Sequence, residues 1–149
     1  MFRGSATAKI DDKGRLKLPS QFLSKLQELH GDGATAVFVT STNGKSARIY
    51  PMPEWEKVEE RLAQAPSSDR AVQSFLNWVS YYGQELSLGG QGRLLMPQLL
   101  REKAQITGEV MVFGRLRYLE VWNREHFEAQ LEEQPLSEAD QDHLAELGI

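Results

Sequence analysis

The sequence predicts a β-rich α+β fold assembled from two copies of one unit, and three observations carry that expectation. Ile10-Asp11-Asp12-Lys13-Gly14-Arg15-Leu16-Lys17-Leu18-Pro19 returns seventy-eight positions later as Leu88-Gly89-Gly90-Gln91-Gly92-Arg93-Leu94-Leu95-Met96-Pro97, with Gly, Arg and Pro in register. The segments downstream of each copy also match: Ala36-Val37-Phe38-Val39 and Arg48-Ile49-Tyr50-Pro51 ahead of Trp55 are echoed by Glu109-Val110-Met111-Val112 and Leu119-Glu120-Val121-Trp122 ahead of Phe127. Short β-type runs bounded by Gly, Asn and Pro supply the strands and hairpins. Two copies are too few for a solenoid, and half of a 149-residue chain buries too little surface to be stable alone. The copies are therefore expected to pack against each other or interleave, with sheets pairing across the repeats.

Each element has its own local signal. Residues 5–10 and 15–18 form strands around Asp-Asp-Lys-Gly, where Gly14 can take the positive φ of a tight hairpin. Pro19 stops the second strand and suits the first turn of a helix over 20–29, with Phe22, Leu23, Leu26 and Leu29 at helical spacing. Gly31-Asp32-Gly33 ends it, and strands near 34–40 and 46–50 are joined by an Asn43-Gly44 hairpin. Pro53 opens a helix to about 64 with Trp55, Val58 and Leu62 on one face. After Ala65-Pro66-Ser67-Ser68, either Ser68 or Asp69 caps a helix running to 82, whose stripe is Val72, Phe75, Leu76 and Val79. The second copy repeats the pattern: strand, Gly-rich turn, strand, a short helix over 98–104, a strand pair over 108–122 and a helix from 123. Ser137 can cap a last short helix to 147, in a segment that is otherwise a candidate mobile tail.

Composition narrows the function classes. With no cysteine there are no disulfides, thiolate metal sites or cysteine nucleophiles, which fits a reducing compartment. The first residues lack a signal-peptide core and no apolar run approaches the ~20 residues of a membrane span, so a soluble cytoplasmic protein is expected. The net charge of −4 hides a polarity. Residues 1–25 carry Arg3, Lys9, Lys13, Arg15, Lys17 and Lys25 against Asp11 and Asp12, whereas residues 120–149 carry nine acids against Arg124.

An enzyme is not expected. His30, His126 and His143 lie in unrelated segments without ligand spacing, and Gly89-Gly90-Gln91-Gly92 lacks the pattern of a phosphate-binding loop. No catalytic residue, metal, cofactor or small-molecule substrate is assigned. The chemistry-bearing feature is the first hairpin. Asp11 and Arg15 sit four apart across the turn, close enough for the carboxylate to hold the guanidinium or cap turn N–H groups. Lys9, Asp11, Lys13, Arg15 and Lys17 occupy odd positions while Ile10, Leu16 and Leu18 are even, which gives a ribbon an apolar inner and a basic outer face. Such a ribbon fits the DNA major groove, where Arg can pair with guanine O6 and N7. A handful of cations binds weakly, so useful affinity requires several subunits on one DNA.

Met1-Phe2-Arg3-Gly4, Asp11-Asp12-Lys13-Gly14-Arg15-Leu16 with Leu18-Pro19, Tyr50-Pro51-Met52-Pro53-Glu54-Trp55-Glu56, Gly92-Arg93-Leu94-Leu95-Met96-Pro97 and Glu109-Val110-Met111-Val112 together resemble the MraZ family of bacterial transcriptional regulators, over about residues 1–128. The resemblance implies two AbrB-like (SpoVT-AbrB) swapped-hairpin β units forming an internal pseudo-dimer with flanking helices: unit 1 at 5–52, connecting helices at 53–80, unit 2 at 81–124, and a C-terminal helix and acidic tail at 125–149. It implies homo-oligomeric rings, nucleoid association, and binding to repeated short promoter boxes upstream of the division and cell-wall gene cluster, usually as a repressor. The family's Asp-x-x-x-Arg motif maps onto Asp11 and Arg15, while the second copy keeps Arg93 but has Gly89 in place of Asp. Lys9, Lys13 and Lys17 are replaced there by Ser87, Gln91 and Leu95. The first repeat is therefore expected to contact DNA through Arg3, Lys9, Asp11, Lys13, Arg15 and Lys17, with Arg93 added from a second repeat that mainly serves assembly. The alternative is an interaction module: a ring-forming scaffold or an antitoxin-like protein whose acidic end binds a basic partner.

Overall fold

A computed structural model describes residues 1–31 and 36–149. The Asp32-Gly33 part of the first helix stop and the opening of the strand expected at 34–40 lie outside the described residues. The elements in chain order are β1 (Ser5–Ile10), β2 (Arg15–Lys17), α1 (Ser20–His30), β3 (Ala36–Thr40), β4 (Ser46–Pro51), α2 (Met52–Gln64), α3 (Arg70–Tyr82), β5 (Gln84–Ser87), β6 (Arg93–Leu95), α4 (Gln98–Lys103), β7 (Gly108–Arg115), β8 (Tyr118–Asn123), α5 (Arg124–Glu133) and α6 (Glu138–Glu146). A single 3₁₀ turn, Gly90–Gly92, joins β5 to β6.

The fold is β-rich α+β. Its eight strands form one antiparallel sheet in the order β5-β3-β4-β8-β7-β1-β2-β6, nearly closed because the two edge strands are joined by that short turn. The copies interleave. β1 of the first copy pairs with β7 of the second, while β5, the counterpart of β1, pairs with β3 of the first. Neither copy can complete its ladder alone, which is why halves too small to fold separately make one core. Around the pseudo-dyad the contacts are reciprocal: Leu16 faces Leu94 in β2–β6, the Leu18 N–H donates to the Gly92 carbonyl at 3.0 Å, and the Met96 N–H donates to the Gly14 carbonyl at 3.0 Å.

Alternation places Val37, Val39, Ile49, Val110, Val112 and Val121 inward, where they meet Leu16, Leu94, Phe22 and Leu100 in the shared core. The outward aromatics are covered by helices. Trp55 of α2 stacks on Phe38 at 4.4 Å and tilts against Tyr50, and Phe127 of α5 packs on Phe113 at 4.3 Å and on Trp122. Asp69 caps α3 by accepting the Ala71 and Val72 N–H groups, and Ser137 and Asp140 form a capping box on α6, so the last segment is helical.

Three sequence expectations are corrected. Val37 faces Pro51 as Val110 faces Asn123, so the counterpart of Arg48 is Glu120 and not Leu119. The same one-residue shift matches Pro51 with Asn123, the N-cap residues of α2 and α5. Leu29 and Leu76, expected on apolar helix faces, are exposed, because α1 buries only Phe22 and Leu26 and α3 turns Val79 and Tyr82 inward instead. Among the described residues no helix is long and apolar enough to cross a membrane, and no cluster of His, Asp and Glu can hold a metal ion.

Candidate nucleic-acid interface

The first hairpin is closed by its backbone and locked by one carboxylate. The Asp11 N–H donates to the Arg15 carbonyl at 2.9 Å, and the Gly14 N–H returns to the Asp11 carbonyl at 3.0 Å. Asp11 Oδ1 accepts the Lys13 and Arg15 N–H groups at 3.0 and 2.8 Å, and Oδ2 accepts from Arg15 Nε at 3.2 Å. The Arg15 backbone N–H does most to hold the Asp11 carboxyl below its ordinary value; desolvation, next in size, opposes it, and the Lys13 N–H and the Arg15 guanidinium add to the lowering. Both side chains are about two-fifths exposed, so the ion pair itself adds little stability; its effect is orientation. With Nε held by Asp11, the two terminal nitrogens of Arg15 have no protein partner among the described residues and form a free two-donor edge.

The second hairpin has the same backbone without the carboxylate. Gly89 N–H donates to the Arg93 carbonyl at 2.7 Å and Gly92 N–H to the Gly89 carbonyl at 3.2 Å. Arg93 is therefore exposed and unanchored among the described residues, as expected from Gly89 standing in place of Asp. The two hairpins are nevertheless one surface. In the β2–β6 ladder Lys17 faces Arg93 and Arg15 faces Leu95, with Leu16 and Leu94 fully buried beneath.

The other residues singled out from the sequence divide. Lys13 stands in the turn, exposed beside Arg15. Lys9 lies in β1, two residues before Asp11, but its partner across β1–β7 is Glu109, itself bound by Arg124, so an acid adjoins that cation. Arg3 is not brought to the hairpin. It precedes β1, at the opposite end of that strand from Asp11, and its neighbours Phe2 and Gly4 are bonded to Leu116 of the β7–β8 turn and to Gly114 at the end of β7.

One residue was missed. Arg101 of α4 lays its guanidinium against Gly14, donating from Nε to the Met96 carbonyl at 2.8 Å; a Cβ on Gly14 would fall 2.7 Å from that Nε. The signal was in the repeat: Arg101 aligns with Leu23, which packs on Gly92 of the other hairpin, so a charge stands where the first copy has an apolar contact. Interleaving carries this cation from the second copy to the first hairpin. The outcome is one exposed face with Lys13, Arg15, Lys17 and Arg93, with the half-buried Arg101 behind the turn at Gly14, a cation set suited to phosphates plus one guanidinium edge suited to a base.

Comparison with known proteins agrees with this architecture. The family profile described as "MraZ protein, putative antitoxin-like" matches residues 1–77 and 83–147. Among relatives named transcriptional regulator MraZ, that of Acidobacterium capsulatum is 49% identical over 149 residues and that of Koribacter versatilis 47%, each match spanning both chains in full. That of Thiobacillus denitrificans is 33% identical over 131 residues, 88% of this chain and 86% of the relative. A doubled, interleaved β unit with the Asp11–Arg15 hairpin, and full-length likeness to these regulators, establish that the chain belongs to the MraZ family of transcriptional regulators.

Proposed function

We propose that the protein is a sequence-specific double-stranded DNA-binding regulator, acting as a repressor of the division and cell-wall gene cluster including its own promoter. The observation that carries this is the shared basic face of the two hairpins, where Lys13, Lys17 and Arg93 accompany an Arg15 edge held by Asp11 and Arg101 packs against the turn at Gly14. Arg15 inserts its terminal nitrogens against guanine O6 and N7; Lys13, Lys17, Arg93 and Arg101 meet phosphates. Asp11 acts through Arg15 and touches no DNA. Lys9, beside Glu109, contributes weakly, and Arg3 meets DNA only where the duplex extends past the hairpin.

Four phosphate contacts per subunit give a salt slope of about −4 and weak single-site affinity, which supports binding of repeated boxes by a homo-oligomeric ring. The protein then resides in the cytoplasm on the nucleoid. The test is binding of the full chain to the duplex upstream of its own gene and to a scrambled duplex across salt concentrations. Steep, sequence-dependent binding is expected, and equal affinity for both duplexes would overturn specificity.

A further inference from the structure

We propose that the cleft between α2 and the β7–β8 turn receives the C-terminal helix α6 of a second copy of this chain. This deepens the self-association part of the proposed function and rests on it; it does not depend on DNA binding. The cleft, about 560 Å³, has Tyr50, Val58 and Tyr118 in its wall and is rimmed by Lys57, Arg61, Arg115 and Arg117. Glu54 sits between Lys57 at 3.0 Å and Arg117 at 3.6 Å, and Arg115 is paired with Glu120, so the rim remains net positive with Arg61 unpaired among the described residues. Leu116, at 58% exposure, adds an uncovered apolar contact at its edge.

The pseudo-dyad supplies an internal control. The corresponding cleft, beneath α5, is lined by Trp122, His126, Ala129, Gln130 and Glu133 where the first has Tyr50, Glu54, Lys57, Val58 and Arg61. The fold builds the cleft twice; the second draws Lys45 and Lys103 from the β3–β4 turn and α4 but has no Lys or Arg among the α5 residues that line it, so packing does not require Lys57 and Arg61. They are free to serve recognition.

The occupant is the segment with the complementary character. α6 carries Glu138, Asp140, Asp142 and Glu146 with no Lys or Arg, and it buries no residue in its own protomer. Leu147 and Ile149, 61% and 81% exposed, lie just beyond it. A nine-residue helix is too short to be stable in water without packing, so its acidic and apolar surfaces call for a partner. Seating it in the neighbour's cleft joins Glu138, Asp142 and Glu146, which share one helix face at i, i+4 and i+8, to the basic rim, and leaves Leu147 and Ile149, beyond the helix end, to meet Leu116. The contact joins different surfaces of two copies, a head-to-tail arrangement that closes rings or grows filaments.

The test is the mass of the full-length protein against concentration, by analytical ultracentrifugation at 0.1 M salt. Arg61→Glu places in the first cleft the residue type its counterpart already carries, and Asp142→Lys with Glu146→Lys leaves the α6 capping box intact. Each variant is expected to weaken association about five- to tenfold, and the two combined to restore most of it. Circular dichroism and melting confirm that the variants fold. An oligomeric wild type whose association neither variant changes, or a combination that restores nothing, overturns the docking while leaving self-association standing. A wild type monomeric throughout overturns both. Binding of a single DNA box, measured in parallel, reports separately on the DNA-binding function.

Discussion

Replacing Gly14 by Ala separates the two hairpins, because their geometry is shared and their neighbours are not. Gly14 has φ +84° and Gly92 φ +73°, so an alanine at either site carries about 1–2 kcal/mol of left-handed backbone cost. At Gly14 the new methyl also drives the Arg101 guanidinium off the turn and breaks its bond to the Met96 carbonyl, another ~1 kcal/mol. At Gly92 the methyl meets the flexible Leu23 side chain, 2.8 Å from Cδ2, and displaces no cation. Gly14→Ala should thus lose about 2–3 kcal/mol, lowering Tm by roughly 5–10 °C, and Gly92→Ala somewhat less. The discriminating assay is DNA affinity at a temperature where both variants are folded. Gly14→Ala should bind two- to fivefold more weakly, since a phosphate-facing cation has moved, while Gly92→Ala should bind like wild type. Equal affinity losses would refute the asymmetry of the two turns, and an unchanged Tm in Gly14→Ala would refute the strained-turn argument itself.

The same site yields two more expected outcomes. Arg101→Leu, which installs the residue type of the equivalent position in the first copy, should leave stability within about 1 kcal/mol of wild type while reducing the salt slope of DNA binding by about one. Asp11 has a carboxyl held below its ordinary value of 3.8 in the folded state, so it favours folding above that pH and loses this contribution as pH falls through the depressed value. Wild type should therefore exceed Asp11→Asn in denaturant midpoint by a constant amount at neutral pH, with the gap closing below pH 3.8; a gap that stays the same or widens in acid would contradict a carboxylate held below its ordinary value.

Much of this was legible in the chain because the repeat is carried by residues with fixed backbone demands. Gly14 and Gly92 occupy matching left-handed turns, and Pro19 and Pro97 end matching strands, so one copy explains the other. The inward Leu16 and outward Lys17 reflect the two-residue period. Strand partners were not legible: alternation says which face is buried but not which strand lies alongside, and only the interleaved ladders bring Arg93 opposite Lys17. The one-residue misalignment of β4 with β8 arose because both strands are buried along nearly their whole length, so alternation does not fix their register; the helix caps Pro51 and Asn123 were the better markers. Arg101 escaped notice because its role depends on a contact between copies, which no local window contains.

The most direct test of the account compares Arg15→Ala with Arg93→Ala on the duplex upstream of the gene, with a scrambled duplex beside it, across salt concentrations. Arg15→Ala should lose most of the preference for the specific duplex, about 1–3 kcal/mol, while Arg93→Ala should weaken both duplexes alike and lower the salt slope by about one. If the two variants lose specificity equally, or Arg15→Ala keeps it, the base-reading role of the Asp11-held guanidinium is wrong.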